Sequence, residues 1–248
     1  MRGFATALTL GALLGVPAVA RAADEESKAP AVTVSGGATL VSDYRYRGVS
    51  QSNRRPAVQA SLTLAHTSGI YGSVWSSSID DYVANGGDQE IDLTLGFRKS
   101  FGATTVDTGV LYYYYPGSGG ANTDFAEPFV SVSHTVGQVT AKAFAAYAPK
   151  QKGLSVGSGA EDNLYLAGDL GFAVPKSPIT LSAHLGRSFG PSYITLGKAH
   201  TDWSLGASAM WKSLTLGLAY VDTDATFITP SGRNASKAGL VASIGAAF

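Results

Sequence analysis

The sequence predicts an all-β fold: a single antiparallel transmembrane β-barrel of about twelve strands, with short periplasmic turns and long extracellular loops. Three observations favour this fold. Apolar residues alternate with small or polar ones, the connections alternate between short and long, and aromatic residues fall near the ends of the alternating runs. Alternation is the pattern of a strand with one apolar face. Most runs have about nine to twelve residues, which is the length that crosses a bilayer at a tilt of about 45°.

Alternation is clearest in the last run, where every second residue from Ala238 to Phe248 is apolar. The same pattern recurs along the chain, whereas helical spacing of apolar residues does not. The predicted strands are residues 32–43, 56–66, 70–79, 90–101, 104–115, 126–136, 139–147, 163–174, 179–189, 202–212, 214–222 and 237–248. Strands of soluble sandwiches usually have about five or six residues, so the length of these runs favours a membrane barrel.

The connections between the predicted strands fall into two sets. Five are short turns, at residues 67–69, 102–103, 137–138, 175–178 and 213. Six are long and rich in Gly, Asn, Ser and charge, at residues 44–55, 80–89, 116–125, 148–162, 190–201 and 223–236. Short turns at one end and long loops at the other are typical of an outer-membrane barrel whose termini lie on the periplasmic side.

One predicted strand offers a measure of membrane thickness. Trp203 and Trp211 share a face, and eight steps of about 3.4 Å span roughly 27 Å along the strand. A tilt of about 40° reduces this to roughly 20 Å of height, close to the apolar band of about 25 Å between two aromatic girdles. The predicted girdle residues are Trp203, Trp211, Tyr112, Tyr114, Tyr220 and Phe248. The alternative is that these aromatic side chains fill a soluble core.

The N-terminus has the layout of a secretory signal peptide over residues 1–22. Arg2 supplies positive charge, residues 4–16 form an apolar core, and small residues around Ala20 and Ala22 offer cleavage sites. The alternative is a buried N-terminal helix of the mature protein. Residues 23–30 are predicted to be a short polar lead-in and residues 31–248 the barrel. The signal peptide and the predicted barrel together predict a location in an outer membrane.

Charge and cysteine content exclude several kinds of partner. After cleavage near Ala22, sixteen basic and eighteen acidic residues remain, a balance that offers no footprint for nucleic acid. The chain has no cysteine, which excludes disulfides, thiolate metal sites and lipid-modified cysteine anchors. The expected partners are outer-membrane lipid, lipopolysaccharide and small polar solutes, and the oligomeric state is left open.

Ionisable residues on the predicted inward faces are candidates for a pore lining, because charges at membrane depth are costly unless they face water or one another. Near mid-barrel these are Asp92, Arg98, Asp107, Lys142, Asp169 and His184, with Glu127 and Asp222 nearer the outer rim. Such groups would either orient a polar solute and select by charge or pair into a network that fills a narrow barrel. Twelve strands lie between the eight that side chains fill and the sixteen of a wide channel, so the expected pore is narrow.

Catalysis on lipid is the rival class of function. It requires a nucleophile, a base and an orienting group together. His66 and His134 are placed near the periplasmic rim, His200 in an outer loop, and His184 in the lumen without an evident third partner. No two histidines stand at metal-ligand spacing, and no nucleophile or phosphate-binding motif occurs. We therefore predict no catalytic residue, no metal and no cofactor.

A family resemblance is carried by the segment that follows the first predicted strand. Its residues are Ser42, Asp43, Tyr44, Arg47, Gly48, Ser50 and Gln51, and a hairpin containing Pro56, His66 and Trp75 comes after it. This segment resembles the TorF-type porins, also described as the Gcw_chp family. The resemblance implies a Gram-negative outer-membrane barrel, a channel, and a C-terminal strand that the barrel assembly machinery recognises. It implies no particular solute.

Two interpretations of this motif stay open. In one, Arg45, Arg47 and Gln51 fold a loop into the pore mouth and contact solute. In the other, Asp43 and Arg47 form an ion pair at the rim, with Gly48 in a fixed turn. The function that the sequence predicts is passive diffusion of small polar solutes through a narrow channel with a charged lumen. The alternatives are a barrel enzyme acting on lipid, a barrel without an open pore and a soluble β-sandwich.

Overall fold

Twelve long strands form a closed antiparallel barrel in the computed structural model, which describes residues 30–157 and 159–248. Two further strands of two residues each, β2 and β3, pair only with one another. In chain order the strands are β1 (Val32–Val41), β2 (Arg45–Tyr46), β3 (Val49–Ser50), β4 (Ala57–His66), β5 (Ile70–Ser78), β6 (Gln89–Phe101), β7 (Thr104–Tyr114), β8 (Phe125–Val136), β9 (Val139–Gln151), β10 (Glu161–Ala173), β11 (Ile179–Phe189), β12 (His200–Trp211), β13 (Leu214–Thr223) and β14 (Gly239–Ala247).

The predicted fold class is confirmed. All twelve alternating runs form barrel strands, and each strand pairs with its neighbours in the chain, with β14 closing on β1. Helical structure in the described ranges is limited to two single-turn 3₁₀ segments, Lys152–Leu154 and Tyr193–Thr195. Neither of them is long and apolar enough to cross a membrane. The predicted signal peptide and all but the last residue of the polar lead-in lie outside the described residues and stay predictions.

Short turns and long loops lie at opposite ends of the barrel. Two turns of two residues join β6 to β7 and β8 to β9, and each begins with a glycine at positive φ, Gly102 at 63° and Gly137 at 60°. A residue with positive φ at the first central position of such a hairpin suits glycine, which has no side chain to clash with the backbone. The long loops lie at the other end, where β1, β5, β7, β9, β11 and β13 finish.

Large apolar side chains cover the outside of the barrel. On strands distributed around the circumference, Val58 is 61% exposed, Leu95 68%, Leu205 63% and Leu240 68%. A continuous apolar belt of this kind is unfavourable in water and is the surface that a spanning barrel presents to lipid. A closed barrel also leaves no unpaired sheet edge inside the bilayer. The chain is therefore an outer-membrane β-barrel.

The seam between β1 and β14 is closed by the C-terminal residue. The Phe248 amide donates to the Gly36 carbonyl at 3.0 Å, and the Gly36 amide donates to the Phe248 carbonyl at 3.2 Å. The Phe248 ring lies over Gly36, where a Cβ atom would come within 2.9 Å of a ring carbon and 2.7 Å of the Ser61 carbonyl oxygen. Glycine at position 36 thus allows the terminal aromatic ring to pack on the seam.

The lipid-facing side of β6 allows a test of how deep each residue lies in the bilayer. Leu95→Arg, at the middle of the strand, is expected to lower the free energy of unfolding from lipid vesicles by roughly 2–4 kcal/mol, because a charge there would lie near the bilayer midplane. The matched control is Gln89→Arg on the same face at the long-loop end of the strand, with an expected loss of about 0–1 kcal/mol. Denaturant titration measures both. Equal losses would contradict the assignment of this face to lipid.

Candidate functional site

The segment after β1 folds into the barrel as a tight hairpin, here called the lumen hairpin (residues 44–51). Its strands β2 and β3 place Arg45 opposite Ser50 and Tyr46 opposite Val49. Every residue from 43 to 50 is buried. The sequence placed this segment in a loop and left its position open, and the structure shows that it enters the upper lumen, at the long-loop end. Whether it contacts solute stays a prediction.

The tip of the lumen hairpin is Arg47–Gly48. Both residues have positive φ, 47° and 83°, which is the backbone of a two-residue hairpin turn. Gly48 lies against the wall formed by β12 and β13, where a Cβ atom would be 2.6 Å from the Thr223 Cβ and 3.0 Å from the Asp202 Cβ. These strands follow β14 in the order of the barrel, so the hairpin extends from β1 past β14, and its tip requires glycine for both φ and space.

The base of the lumen hairpin is organised by Asp43. Its carboxylate accepts hydrogen bonds from Arg45 Nε at 2.7 Å and from Ser50 Oγ at 2.6 Å. Arg45 also donates to the Ala235 carbonyl at 3.1 Å, which ties the hairpin to the loop before β14. The ion pair of Asp43 is therefore with Arg45, and the predicted rim pair between Asp43 and Arg47 is wrong. Arg47 points across the lumen instead.

Arg47 is held in a buried cage on the far wall. Its Nη2 atom donates to both oxygens of Glu127, at 2.7 and 2.9 Å, and each side chain is only 1% exposed. The guanidinium carbon lies 4.1 Å from the centre of the Tyr165 ring and 4.8 Å from that of Tyr46. Burial disfavours the charge on Arg47, but the Glu127 carboxylate raises the pKa above its usual value, so the guanidinium stays ionised.

The remaining motif residues also bind protein groups. Tyr44 donates from its hydroxyl to Glu90 at 3.0 Å and packs edge-on against Trp75, with ring centres 5.4 Å apart. Ser42 continues the pairing of β1 with β14 through the Ala242 backbone, at 2.8 Å. Gln51 donates to the Val49 carbonyl at 3.0 Å within the hairpin itself. These bonds hold the hairpin in place and engage the Gln51 amide within it.

Six ionisable side chains follow one another along one side of the lumen, here called the charged arc: Arg98, Asp107, Lys142, Asp169, His184 and Asp202. The first five lie below the lumen hairpin, and Asp202 ends the arc against Gly48 at the hairpin tip, where it is 3% exposed. Arg98 Nη2 lies 2.6 Å from Asp107 Oδ2, and Lys142 Nζ lies 3.8 Å from Asp169 Oδ2. The arc runs over β6 to β12, and β8 contributes only hydroxyls there, since Asp107 pairs with Ser131 and Lys142 with Ser133.

His184 lies between two carboxylates. Its Nδ1 atom is 2.7 Å from Asp169 Oδ1 and its Nε2 atom 3.0 Å from Asp202 Oδ1. Ionised carboxylates only accept hydrogen bonds, so an imidazole that donates to both of them carries a proton on each ring nitrogen. Nε2 also lies 3.0 Å from the Tyr165 hydroxyl, which can bond to Asp202 as well. With both protons in place, His184 is the third cation of the arc. The Tyr165 hydroxyl adds a bond to Asp202 at 3.1 Å and connects the arc to the cage of Arg47.

The structure brings together five of the six predicted mid-barrel residues. The sixth, Asp92, faces inward but is only 7% exposed. It lies directly opposite Tyr113 and Trp75 in the register of the sheet, in the packed region beside the lumen hairpin. Asp202 is an inward residue that the sequence prediction did not include, although the alternation that places Trp203 outward places its neighbour Asp202 inward.

Two further placements differ from the sequence expectation. Asp222 shares the outward parity of Tyr220 and accepts a hydrogen bond from its hydroxyl at 2.9 Å, so it lies outside the lumen. His200 is the first residue of β12 rather than a loop residue, and its Nε2 atom lies 3.2 Å from the Arg47 carbonyl oxygen. The imidazole is 2% exposed and supports the turn of the lumen hairpin.

The predicted girdle residues all face outward at the ends of strands. Tyr112, Tyr114 and Tyr220 lie towards the long-loop end, at about 40% exposure each, and Trp211 and Phe248 lie at the short-turn end, at 68% and 79%. Trp203, near the long-loop end of β12, is partly buried. Their contact with the headgroup region of lipid stays a prediction.

A closed antiparallel barrel with an apolar outside and a polar inside defines the class of outer-membrane β-barrels. The chain belongs to the Gcw_chp family, described as bacterial protein of unknown function, whose model matches residues 24–248. Among curated protein sequences, none matches the chain.

Solved porin structures share the fold. The NanC porin superposes with a TM-score of 0.60 at 15% identity, over 87% of this chain and 99% of that one. The KdgM porin superposes with a TM-score of 0.57 at 8% identity, over 86% of this chain and 98% of that one. At such identities the likeness concerns the fold.

Variants of two ion pairs, one buried (Arg47 with Glu127) and one exposed (Arg55 with Asp80), test which contacts stabilise the lumen hairpin. Glu127→Gln is expected to lower the free energy of unfolding by about 3–5 kcal/mol, because it leaves the buried Arg47 guanidinium without a counter-charge. The control is Asp80→Asn, which removes the partner of Arg55, whose side chain is 60% exposed; its expected cost is below about 1 kcal/mol.

Denaturant unfolding in detergent micelles measures both variants. Removing both charges, with Arg47→Met and Glu127→Met together, should recover part of the loss because no unpaired charge remains buried. A Glu127→Gln protein as stable as the wild type would contradict the cage.

Proposed function

We propose that this protein is an outer-membrane channel for passive diffusion of small polar solutes, narrowed at its outer end by the lumen hairpin. The observation that carries the proposal is the contrast between two arginines inside the same barrel. The Arg47 side chain is 1% exposed, whereas that of Arg98 is 35% exposed. This contrast supports solvent space in the lower lumen, below the part that the hairpin occupies.

The chemistry of the lower lumen suits polar solutes. The charged arc occupies β6 to β12, while the inward residues of β13, β14 and β1 are mainly Gly, Ala, Ser and Thr. Charged groups on one wall and short side chains on the other leave room for a solute and offer it hydrogen bonds and charge. A twelve-stranded barrel that is partly filled by a hairpin gives a narrow passage.

The solute path at the outer end is bordered by long loops. A cavity of about 920 Å³ opens among them, lined by residues that include Tyr82, Tyr193 and Phe227. Tyr193 donates to the Val83 carbonyl at 2.9 Å, and the Tyr82 and Phe227 rings lie 5.4 Å apart. We assign this cavity to the mouth of the channel, above the lumen hairpin.

The lumen geometry does not favour the enzymatic alternative. Both ring nitrogens of His184 face carboxylates, so the imidazole has no free lone pair to act as a base on a nearby hydroxyl. Within residues 30–157 and 159–248, no group of three or more potential ligands is arranged to hold a metal ion. The proposal therefore assigns the inward residues to solute passage.

The proposal also includes the surroundings of the barrel. The apolar belt would contact outer-membrane lipid, with lipopolysaccharide around the long-loop end. The β14 strand and Phe248 would serve the barrel assembly machinery as a recognition signal, with residues 1–22 directing export. Exposure of the Phe248 ring at the seam supports this role.

The lumen hairpin sets the conductance if it is the constriction. Replacing residues 45–50 by a Gly-Ser-Gly linker is expected to raise the single-channel conductance in planar bilayers severalfold, because the upper lumen is no longer filled. The matched control is the same replacement of residues 117–122, an equally long segment of the loop between β7 and β8. Its conductance should equal that of the wild type.

Heat-dependent gel mobility verifies that each protein is folded. Absence of conductance from the folded wild type and from the folded hairpin variant would contradict the channel and favour a barrel without a pore.

A further inference from the structure

We infer that the charged arc makes this channel selective for small zwitterions, which carry one positive and one negative group. The inference rests on the proposed channel function and names its substrate class. It is carried by the order of charges around the lumen and by the uncharged wall that faces them. Both features follow from the register of the strands.

The signs of the charged arc alternate. Following the strands from β6 to β12, the arc reads Arg98 positive, Asp107 negative, Lys142 positive, Asp169 negative, His184 positive and Asp202 negative. The positive charge of His184 follows from its two carboxylate partners, as derived above. Three cations and three anions cancel, so the arc has no net charge.

The neighbouring charges are close enough to be recognised together. Lys142, Asp169 and His184 lie directly opposite one another on three adjacent strands, and residues in such pairs have Cβ atoms about 4.5–5.5 Å apart. The charged atoms themselves are as close, with Lys142 Nζ 3.8 Å from Asp169 Oδ2, a distance that the ammonium and carboxylate groups of a β-amino acid can match. A zwitterion lying along the arc therefore places each group beside an opposite charge.

The other side of the lumen carries no competing charge. In the described parts of β13, β14, β1, β4 and β5, none of the inward side chains is ionised at neutral pH. Many inward positions on these strands are small, among them Thr215, Gly217, Ser243, Gly245 and Thr63. A solute therefore has space to lie against the charged arc and is not drawn away from it.

Alternation also disfavours selection of simple ions. An ion with one charge meets attraction from one member of the arc and repulsion from the next, and opposite charges at a few ångströms largely cancel its net interaction. A single-sign lumen would instead attract counter-ions and show strong ion selectivity. The arc predicts weak ion selectivity together with preferential passage of zwitterions.

Two isomeric probes separate charge pattern from size. β-Alanine is a zwitterion at neutral pH, and lactamide has the same atoms without charges. Proteoliposome swelling is expected to be about twofold faster with β-alanine than with lactamide, the ratio that a weak, solvent-exposed ion-pair contact would give. The reversal potential in a KCl gradient should lie near zero.

The double variant Arg98→Gln with Asp107→Asn removes one pair of charges and keeps the net charge. Its β-alanine to lactamide ratio should fall towards one. The single variant Asp107→Asn leaves a surplus cation and should shift the reversal potential towards anion selectivity. The matched control is Lys99→Gln on the outer face of the same strand, which should change neither readout.

The outcomes distinguish the inference from the function on which it rests. Absence of swelling with both probes would overturn the channel and the inference together. Equal or slower swelling with β-alanine in a conducting wild type, or a large reversal potential, would overturn the zwitterion selectivity alone. If wild-type flux is too slow to resolve, the same ratio in the variant with the shortened hairpin decides between these outcomes.

Discussion

A guanidinium group inside a membrane barrel must be paired, because it has left water and cannot lose its proton. Arg47 meets this requirement only at the far wall of the lumen, where Glu127 accepts from it and two tyrosine rings cover it. The position of the whole lumen hairpin depends on this pairing. The tip is fixed at Glu127 and the base by Asp43 and Arg45. In the channel that we propose, the hairpin therefore narrows the upper lumen, and solute passes through the lower lumen.

The segment that carries the family resemblance is also the segment that fills the lumen. Asp43 organises the base of the hairpin, and Gly48 allows the tip to pack against β12 and β13. Ser50, on the returning strand, donates a hydrogen bond to Asp43. The motif therefore has a structural account that does not require contact with solute. Our proposal assigns solute recognition to a different set of residues, the charged arc, and Tyr165 joins the two sets through Arg47 and Asp202.

Much of the fold follows from the sequence because strand geometry has a period of two. The run that ends at Phe248 fixes both its length and its faces, and the same parity turns Arg98 inward and Leu95 outward. The same parity puts Asp222 on the outward face that it shares with Tyr220, so the predicted inward position of Asp222 is wrong. The pairing of Arg47 with Glu127 was beyond sequence reasoning, because the two residues are 80 positions apart and meet only across a closed barrel. The inward position of Asp202 could have been predicted from the sequence, because its neighbour Trp203 faces outward.

The central claim, that the lumen hairpin separates an open lower lumen from the outside, is tested most directly by thiol accessibility, since the chain has no cysteine of its own. A single Ser133→Cys, inward on β8 opposite Lys142 of the charged arc, would be exposed on intact cells to a membrane-impermeant thiol reagent. We predict slow labelling in the otherwise native protein and much faster labelling when residues 45–50 are replaced by the short linker. Labelling at the same rate in both proteins would contradict the account.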